Sequence, residues 1–370
     1  MKFSCYKSDL IEALQFAIRA VAVKPQTPIL AGIYLKAEDS TLEVQANNYS
    51  TGIIVKIPVN TESPGEIVLG GRRLYDFIRT IPGDTITFSD GNSASTLLIE
   101  AGGASVELIT MDAEDFPKVK KPQGEYTFSV GTKVLRELIR RTIFAVSKED
   151  SRQIFMGCAF EIRDEEITLI ATDTHRLALA TDKLLEPAFD CNFIVPAETL
   201  RGLFQRLEHR TIDKGIVMDY STRYLTFSFD NVFVNARLIE GEFPPYDRVI
   251  PQHTATSTYV NREEFKDAVD FIALMSKETE YNTVKLSFVN GRVDISSNSN
   301  DGEVAAKSLP VDMQGEDVEI AFNVDYLLDV LKVIESFKVN IQLNDRLSPA
   351  LFKDNDFEKY SYVVTPVRAE

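Results

Sequence analysis

Apolar residues recur along this chain with two periods, and each period predicts an element. A helical stripe at i, i+3 and i+4 runs through Leu10, Ala13, Leu14 and Ala17. The same spacing returns in Leu135, Leu138 and Ile139, and again in Phe265, Ala268, Val269 and Ile272. These helices are expected to begin after Ser8-Asp9, after Gly131-Thr132 and after Val260-Asn261, residue types that open helices. A second set of stripes is Leu74, Phe77, Ile78, Ile81; then Leu200, Leu203, Phe204, Leu207; then Leu327, Val330, Leu331, Ile334. Its members recur at intervals of 126 and 127 residues. The other period is two. Glu166-Ile167-Thr168-Leu169-Ile170 alternates as a half-buried strand does. It ends in the polar run Thr172-Asp173-Thr174-His175-Arg176, where a turn presents side chains.

That strand end has relatives elsewhere in the chain. Val44-Gln45-Ala46-Asn47-Asn48 matches Leu169-Ile170-Ala171-Thr172-Asp173, and Ile295-Ser296-Ser297-Asn298 follows the same plan. Asp115-Phe116-Pro117 returns 127 residues later as Glu242-Phe243-Pro244. One stripe is ordinary, but several landmarks keeping one spacing indicate a long-period repeat of whole domains. The reading is an α+β chain of three repeated domains, each with two helices packed on antiparallel sheets. Their boundaries fall near Gln123 and Gln252, giving segments 1–122, 123–251 and 252–370. Three such units suggest a closed symmetric assembly, since a head-to-tail contact that closes makes a ring.

Composition narrows the function. Apolar content of 44% and charged content of 26% fit a folded globular chain. The N-terminus carries no apolar targeting segment and no run approaches a membrane span, so a cytoplasmic protein without membrane partners is expected. Cys5, Cys158 and Cys191 are scattered, as are His175, His209 and His253. No zinc, P-loop or dinucleotide pattern is present, so no cofactor or metal is expected. The formal charge of −16 argues against indiscriminate binding to nucleic acid, but the location of charge matters more than its sum.

With these residues in place the chain resembles, over its whole length, the β subunits of bacterial DNA polymerase III, the sliding-clamp family. The resemblance rests on Met1-Lys2-Phe3, Lys24-Pro25-Gln26-Thr27-Pro28-Ile29-Leu30 and Thr172-Asp173-Thr174-His175-Arg176-Leu177. It continues in Gly241-Glu242-Phe243-Pro244-Pro245-Tyr246-Asp247-Arg248-Val249-Ile250-Pro251 and ends in Tyr362-Val363-Val364-Thr365-Pro366-Val367-Arg368. It implies the DNA clamp fold: a homodimer of three-domain chains assembled head-to-tail as a six-domain ring around double-stranded DNA. Such a processivity factor makes and breaks no bond. It tethers the replicative DNA polymerase, and a separate ATP-driven clamp loader opens it. Other replication and repair proteins carrying clamp-binding motifs would share it.

The resemblance also implies sites. A partner-peptide pocket between the second and third domains would comprise Phe155, Thr172, Thr174, His175, Arg176, Leu177, Pro244, Arg248, Val249, Tyr326, Val363, Val364, Thr365, Pro366, Val367 and Arg368. Leu177, Val249, Val363 and Val367 would floor it, and His175, Arg176, Arg248 and Arg368 would rim it. On the residues alone, the valines read as core, His175 as a structural histidine and the arginines as a solvated face. Thr174 stands where relatives often carry Gly, and Thr365 where a larger, flexible Met is common. Lys24 and Arg73 match positions that approach DNA in relatives. Helix-borne Arg72, Arg79, Arg136, Arg140, Arg141, Arg201 and Arg206 are further candidates for a sequence-indifferent phosphate lining. The third domain offers Lys266, Lys332 and Lys338 against Asp267, Asp270, Asp325, Asp329 and Glu335. For the dimer contact, Val106 and Leu108 would meet Leu274 and Met275 of a second copy. A hydrolase built on Asp173, His175 and Arg176 is the rival from another class. The matching strand ends, Asn47-Asn48 and Ser297-Asn298, contain no histidine and count against it.

Overall fold

A computed structural model describes residues 1–122, 124–149, 152–208, 214–276, 282–298 and 303–367. The first repeat opens with β1 (Lys2–Tyr6), α1 (Lys7–Ala17), β2 (Gly32–Glu38), β3 (Thr41–Asn47) and β4 (Thr51–Pro58). It closes with β5 (Asn60–Ser63), β6 (Gly65–Gly70), α2 (Gly71–Thr80), β7 (Thr85–Asp90), β8 (Thr96–Ala101) and β9 (Ala104–Met111). The second contains β10 (Tyr126–Gly131), α3 (Thr132–Thr142), β11 (Gly157–Thr172) and β12 (Arg176–Pro196). It ends with α4 (Ala197–Glu208), β13 (Gly215–Tyr220), β14 (Tyr224–Phe229) and β15 (Val232–Arg237). The third runs through β16 (Thr256–Asn261), α5 (Arg262–Ser276), β17 (Thr283–Val289), β18 (Arg292–Asn298), β19 (Val304–Pro310) and β20 (Asp312–Gln314). It finishes with β21 (Val318–Asn323), α6 (Val324–Val333), β22 (Lys338–Leu343), β23 (Ala350–Asp354) and β24 (Phe357–Val364).

The first and third repeats thus share one order: a strand, a helix, five strands, a helix and three strands. The second merges the middle strands into β11 and β12, which span 16 and 21 residues. The helical stripes point where their spacing predicts. Leu10, Leu14, Leu135, Leu138, Ile139, Phe265, Val269 and Ile272 are buried, as are Leu74, Ile78, Leu200, Leu203, Leu327 and Leu331. Phe77 departs from its stripe and is 38% exposed. The first helix begins earlier than Ser8-Asp9 predicts, directly at Lys7 with an uncapped Tyr6 before it. Asn261 does open α5, its carboxamide oxygen accepting from Glu264 N at 3.1 Å.

The chain forms two compact units. The first comprises 1–133, 184–189 and 198–239; the second comprises 134–183, 190–197 and 240–370. The central segment contributes to both. In the first unit one antiparallel sheet runs β10-β13-β14-β15-β4-β3-β2-β6-β9-β8-β7-β1-β5. It crosses from the second repeat to the first where β15 pairs with β4, Asn235 opposite Gly52. A buried bond of 2.6 Å between the hydroxyls of Thr51 and Thr199 ties β4 to α4. In the second unit a sheet runs β11-β12-β24-β23-β22-β16-β20, with β12 paired to β24 and Leu177 opposite Val363. A four-stranded sheet, β19-β18-β17-β21, completes it and packs under α5.

Candidate functional site

The β11–β12 turn builds one wall of a cleft in the second unit. Asp173 makes the turn tight: its Oδ1 accepts from His175 N and Arg176 N, both at 3.0 Å. Thr172 Oγ1 donates to Arg176 O at 2.6 Å and accepts from Thr174 N at 3.1 Å. Thr174 is forced to φ +79°, a region costly for a β-branched residue, which explains why glycine suits this position. His175 is exposed and its backbone carbonyl accepts from both Thr365 N and Thr365 Oγ1 at 2.9 Å. The β12–β24 pairing therefore fixes where Thr365 stands.

The cleft measures about 610 Å³. Phe155, Leu177 and Val363 reach its floor at 6%, 4% and 3% exposure, whereas Val249 on the rim is 49% exposed. Thr172, Thr174, His175, Arg176, Pro244, Arg248 and Thr365 also line it. An apolar floor with a polar, accessible rim suits an anchored peptide side chain. Sequence reasoning missed Phe243, Pro245, Tyr246, Ile250, Pro251 and Gln252, although the proline-aromatic run had marked that segment. It also missed Asn344, Ser348 and Pro349, brought in by the β22–β23 loop. That loop is set by Asp345, which accepts from Leu347 N at 2.7 Å, Ser348 N at 2.9 Å and the Ser348 hydroxyl at 2.8 Å. The Leu347 amide and the Ser348 hydroxyl hold its carboxyl below the usual carboxylate range.

Four expected pocket residues lie elsewhere. Val364 is fully buried beside Ala350. Tyr326 lies 4.4 Å from the Arg176 guanidinium carbon, and its carbonyl accepts from Tyr362 OH. Pro366 and Val367 follow the cleft strand half-buried, with Val367 N bonded to Ala321 O at 2.8 Å. Arg368 lies outside the described residues. Arg176 lines the cleft but does not offer its guanidinium to it. That group donates to Asp173 at 2.9 Å, Asp329 at 2.8 Å and Phe144 O at 2.8 Å, and the residue is only 7% exposed. Arg176 is a strut, and the expectation that it rims the pocket is corrected. The Asp173 carboxylate is likewise spent on the backbone amides of the turn and on Arg176, which counts against the hydrolase reading.

The basic candidates divide in the same way. Lys24, Arg72, Arg73 and Arg79 are exposed. Arg72 and Arg73 stand in the first turn of α2, whose cap residue Gly70 makes no side-chain bond, so partial positive charge adds to theirs. Val21, three residues before Lys24, packs where a Cβ on Gly71 would lie, bringing that loop beside the same helix end. Arg141 is the clearest correction: 2% exposed, it donates to Asp354 at 2.7 Å and stacks on Phe357 at 4.4 Å. It lies three residues beyond Leu138, on the buried side of α3. Arg140 is held by Glu137 at 2.7 Å, Glu335 at 3.0 Å and Val333 O at 3.0 Å. Arg136 sits 3.7 Å from Glu137, Arg201 2.6 Å from Glu198, and Arg206 is bonded to Glu12. Lys266, Lys332 and Lys338 pair with Asp270, Asp329 and Asp312.

At the dimer candidates, Leu274 is 66% exposed on α5 and Met275 is half-buried. Val106 is half-buried on β9, and Leu108 faces inward at 5% exposure. The next residue, Ile109, is 72% exposed. Among the described residues no group of three or more His, Cys, Asp or Glu side chains is placed to hold a metal. No described helix is long and apolar enough to cross a membrane.

Known proteins with this arrangement fall in one class. Family models for the N-terminal, central and C-terminal domains of the DNA polymerase III β subunit match residues 1–120, 129–245 and 247–368. The β sliding clamp of Bacillus subtilis (strain 168) is 31% identical over 379 residues, covering 100% of both chains. The crystal structure of the DNA polymerase sliding clamp from Bacillus subtilis superposes with a TM-score of 0.92 at 30% identity, again over 100% of both chains. A sliding clamp from Pseudomonas aeruginosa, solved bound to griselimycin, gives 0.93 at 29% identity with the same coverage. Three α+β clamp domains in one chain define a DNA clamp, a non-catalytic processivity factor. The chain belongs to the β sliding clamp family, the β subunits of bacterial DNA polymerase III, a membership that implies DNA and a polymerase as partners.

Proposed function

We propose that two copies of this chain close head-to-tail around duplex DNA, and that the cleft beside His175 takes the clamp-binding peptides of the replicative polymerase, the clamp loader and other repair and replication proteins. The cleft carries the reading: Phe155, Leu177 and Val363 make a dry floor large enough for a Leu or Phe anchor, and Arg248 and His175 stand at the rim for the peptide's polar groups. The work is one of effective concentration, since a tethered polymerase rebinds its template instead of leaving it. In a bacterium a protein with this role works in the cytoplasm, on the chromosome.

Ring closure is supported by strand edges. β4 of the first repeat pairs with β15, the last strand of the second, and β12 pairs with β24, the last strand of the third. The corresponding strand of the third repeat, β19, pairs only with β18 among the described strands. The last strand of the first repeat, β9, is paired with β8 along one side, but on its other side it meets β6 only at Thr110 and Met111, and residues 104–109 have no partner there among the described strands. Among the described strands β19 thus offers a free edge and β9 a mostly free one, which a second copy would satisfy. Ile109 on β9, and Leu274 on α5, which packs on β19, supply exposed apolar surface. Within the ring, Lys24, Arg72, Arg73 and Arg79 are the phosphate contacts, weak enough to slide, while the acidic remainder of the surface repels nucleic acid. A labelled peptide with a Leu-Phe pair flanked by polar residues tests the cleft. Leu177→Asp should weaken it by about 2 kcal/mol or more, and unchanged affinity in the folded variant contradicts the assignment.

A further inference from the structure

The cleft has a counterpart in the first unit, visible from matching turns. Asn48 Oδ1 accepts from Ser50 N at 3.1 Å and Thr51 N at 2.7 Å, as Asp173 does from His175 and Arg176. Tyr49 has φ +68° where Thr174 has +79°. Arg237 N donates to Ser50 O at 2.8 Å where Thr365 N donates to His175 O. The two registers then equate Gly52 with Leu177 and Asn235 with Val363, each pair directly opposed across its sheet. Two of the three floor residues of the cleft, Leu177 and Val363, are thus a glycine and an asparagine in the first unit.

Those two exchanges let the chain's own linker lie down. Asn47 Nδ2 donates to Pro117 O at 2.7 Å, Val119 N to Gln45 Oε1 at 2.9 Å, and Asn235 Nδ2 to Lys120 O at 3.0 Å. Val119 is 8% exposed, its Cγ1 only 2.7 Å from where a Cβ on Gly52 would sit, so any larger residue there would expel it. In the second unit the residue 127 positions on, Tyr246, is instead half-buried and donates its hydroxyl to Glu161 at 3.1 Å. Beside the seated linker a pocket of about 290 Å³ remains. Asn235 lines it at 7% exposure, and its Oδ1 is buried without a hydrogen bond from the described residues. Three carboxamides reading the linker backbone, one with an acceptor to spare, make a built peptide site.

We propose that the first unit holds a second extended-peptide site, occupied in cis by Pro117–Lys120, which accepts in trans a peptide of the same chemistry: a proline, then a small β-branched residue between lysines. The equivalence with the cleft rests on the peptide reading above, but occupancy by the linker does not. Tethered at millimolar effective concentration, the linker outcompetes free peptide, so unseating it should reveal the site. The test is fluorescence polarisation of a labelled peptide spanning residues 115–122 against the full-length chain. Val119→Asp should bind it about tenfold more tightly than the unsubstituted chain, and Val119→Ala, a milder change that keeps the fold, should show a smaller gain. Adding Asn235→Val should remove the gain, whereas adding Leu177→Asp should leave it intact. Equal binding to the unsubstituted chain and both variants overturns the proposal, as does a gain abolished by Leu177→Asp, which would send the peptide to the cleft. Failure of the cleft reading alone would leave the Val119 result unaffected.

Discussion

At residue scale, the turn at 172–176 separates what binds from what holds. Thr174 carries a β-branched side chain at φ +79°, strain of order 1–3 kcal/mol that glycine relieves at some expense in unfolded-state entropy. Thr174→Gly should therefore stabilise the chain by about 1 kcal/mol, read as a higher midpoint in urea. An unchanged or lower midpoint would show that the turn bears no such strain. Arg176 and Arg248 make opposite predictions from the same side-chain type. Removing Arg176 leaves Asp173 and Asp329 without their shared cation, so Arg176→Ala should lose about 3 kcal/mol of stability. Arg248, exposed on the rim, should cost little in stability, and Arg248→Ala should act on peptide affinity alone. Equal urea midpoints for the two variants would contradict this division.

At the scale of elements, the proposed assembly rests on strand edges. Ile109→Asp on β9 with Leu274→Asp on α5 should convert a two-chain particle to single chains in sedimentation equilibrium, with little change in the melting of each chain. A dimer that survives both changes would place the contact elsewhere. This is also the scale at which the sequence was most legible. Stripes such as Leu135, Leu138 and Ile139 are local consequences of helical period, and the repeat could be read from their spacing alone. What escaped depended on tertiary neighbours. No periodicity tells that Arg141 turns toward Asp354, or that Phe77 stays at the surface of its own stripe. The fused strands β11 and β12 hid the plan of the central repeat. Asn344, Ser348 and Pro349 could not be assigned to the cleft because only the folded β22–β23 loop carries them there. For the cleft floor the family resemblance implies Leu177 and Val363, with Phe155 only as a pocket residue, but it also implies Val249, which stands exposed on the rim, and Val367, which does not line the cleft.

At the scale of the whole molecule, the proposed ring lets a chain of formal charge −16 hold a polyanion by enclosing it. The exposed cations of the α2 region are few, and the arginines of α3 and α4 are mostly committed to carboxylates. Contact affinity for DNA should accordingly be weak and fall steeply with salt, while retention by topology should not. The decisive measurement loads the protein onto nicked circular plasmid DNA with a bacterial clamp loader and ATP, then follows retention at raised salt before and after the circle is cut. The account predicts a long-lived complex on the circle that is lost on linearisation, as the ring slides off the ends. Equal retention on circular and linear DNA would mean that the protein binds by contact, and would contradict the closed ring.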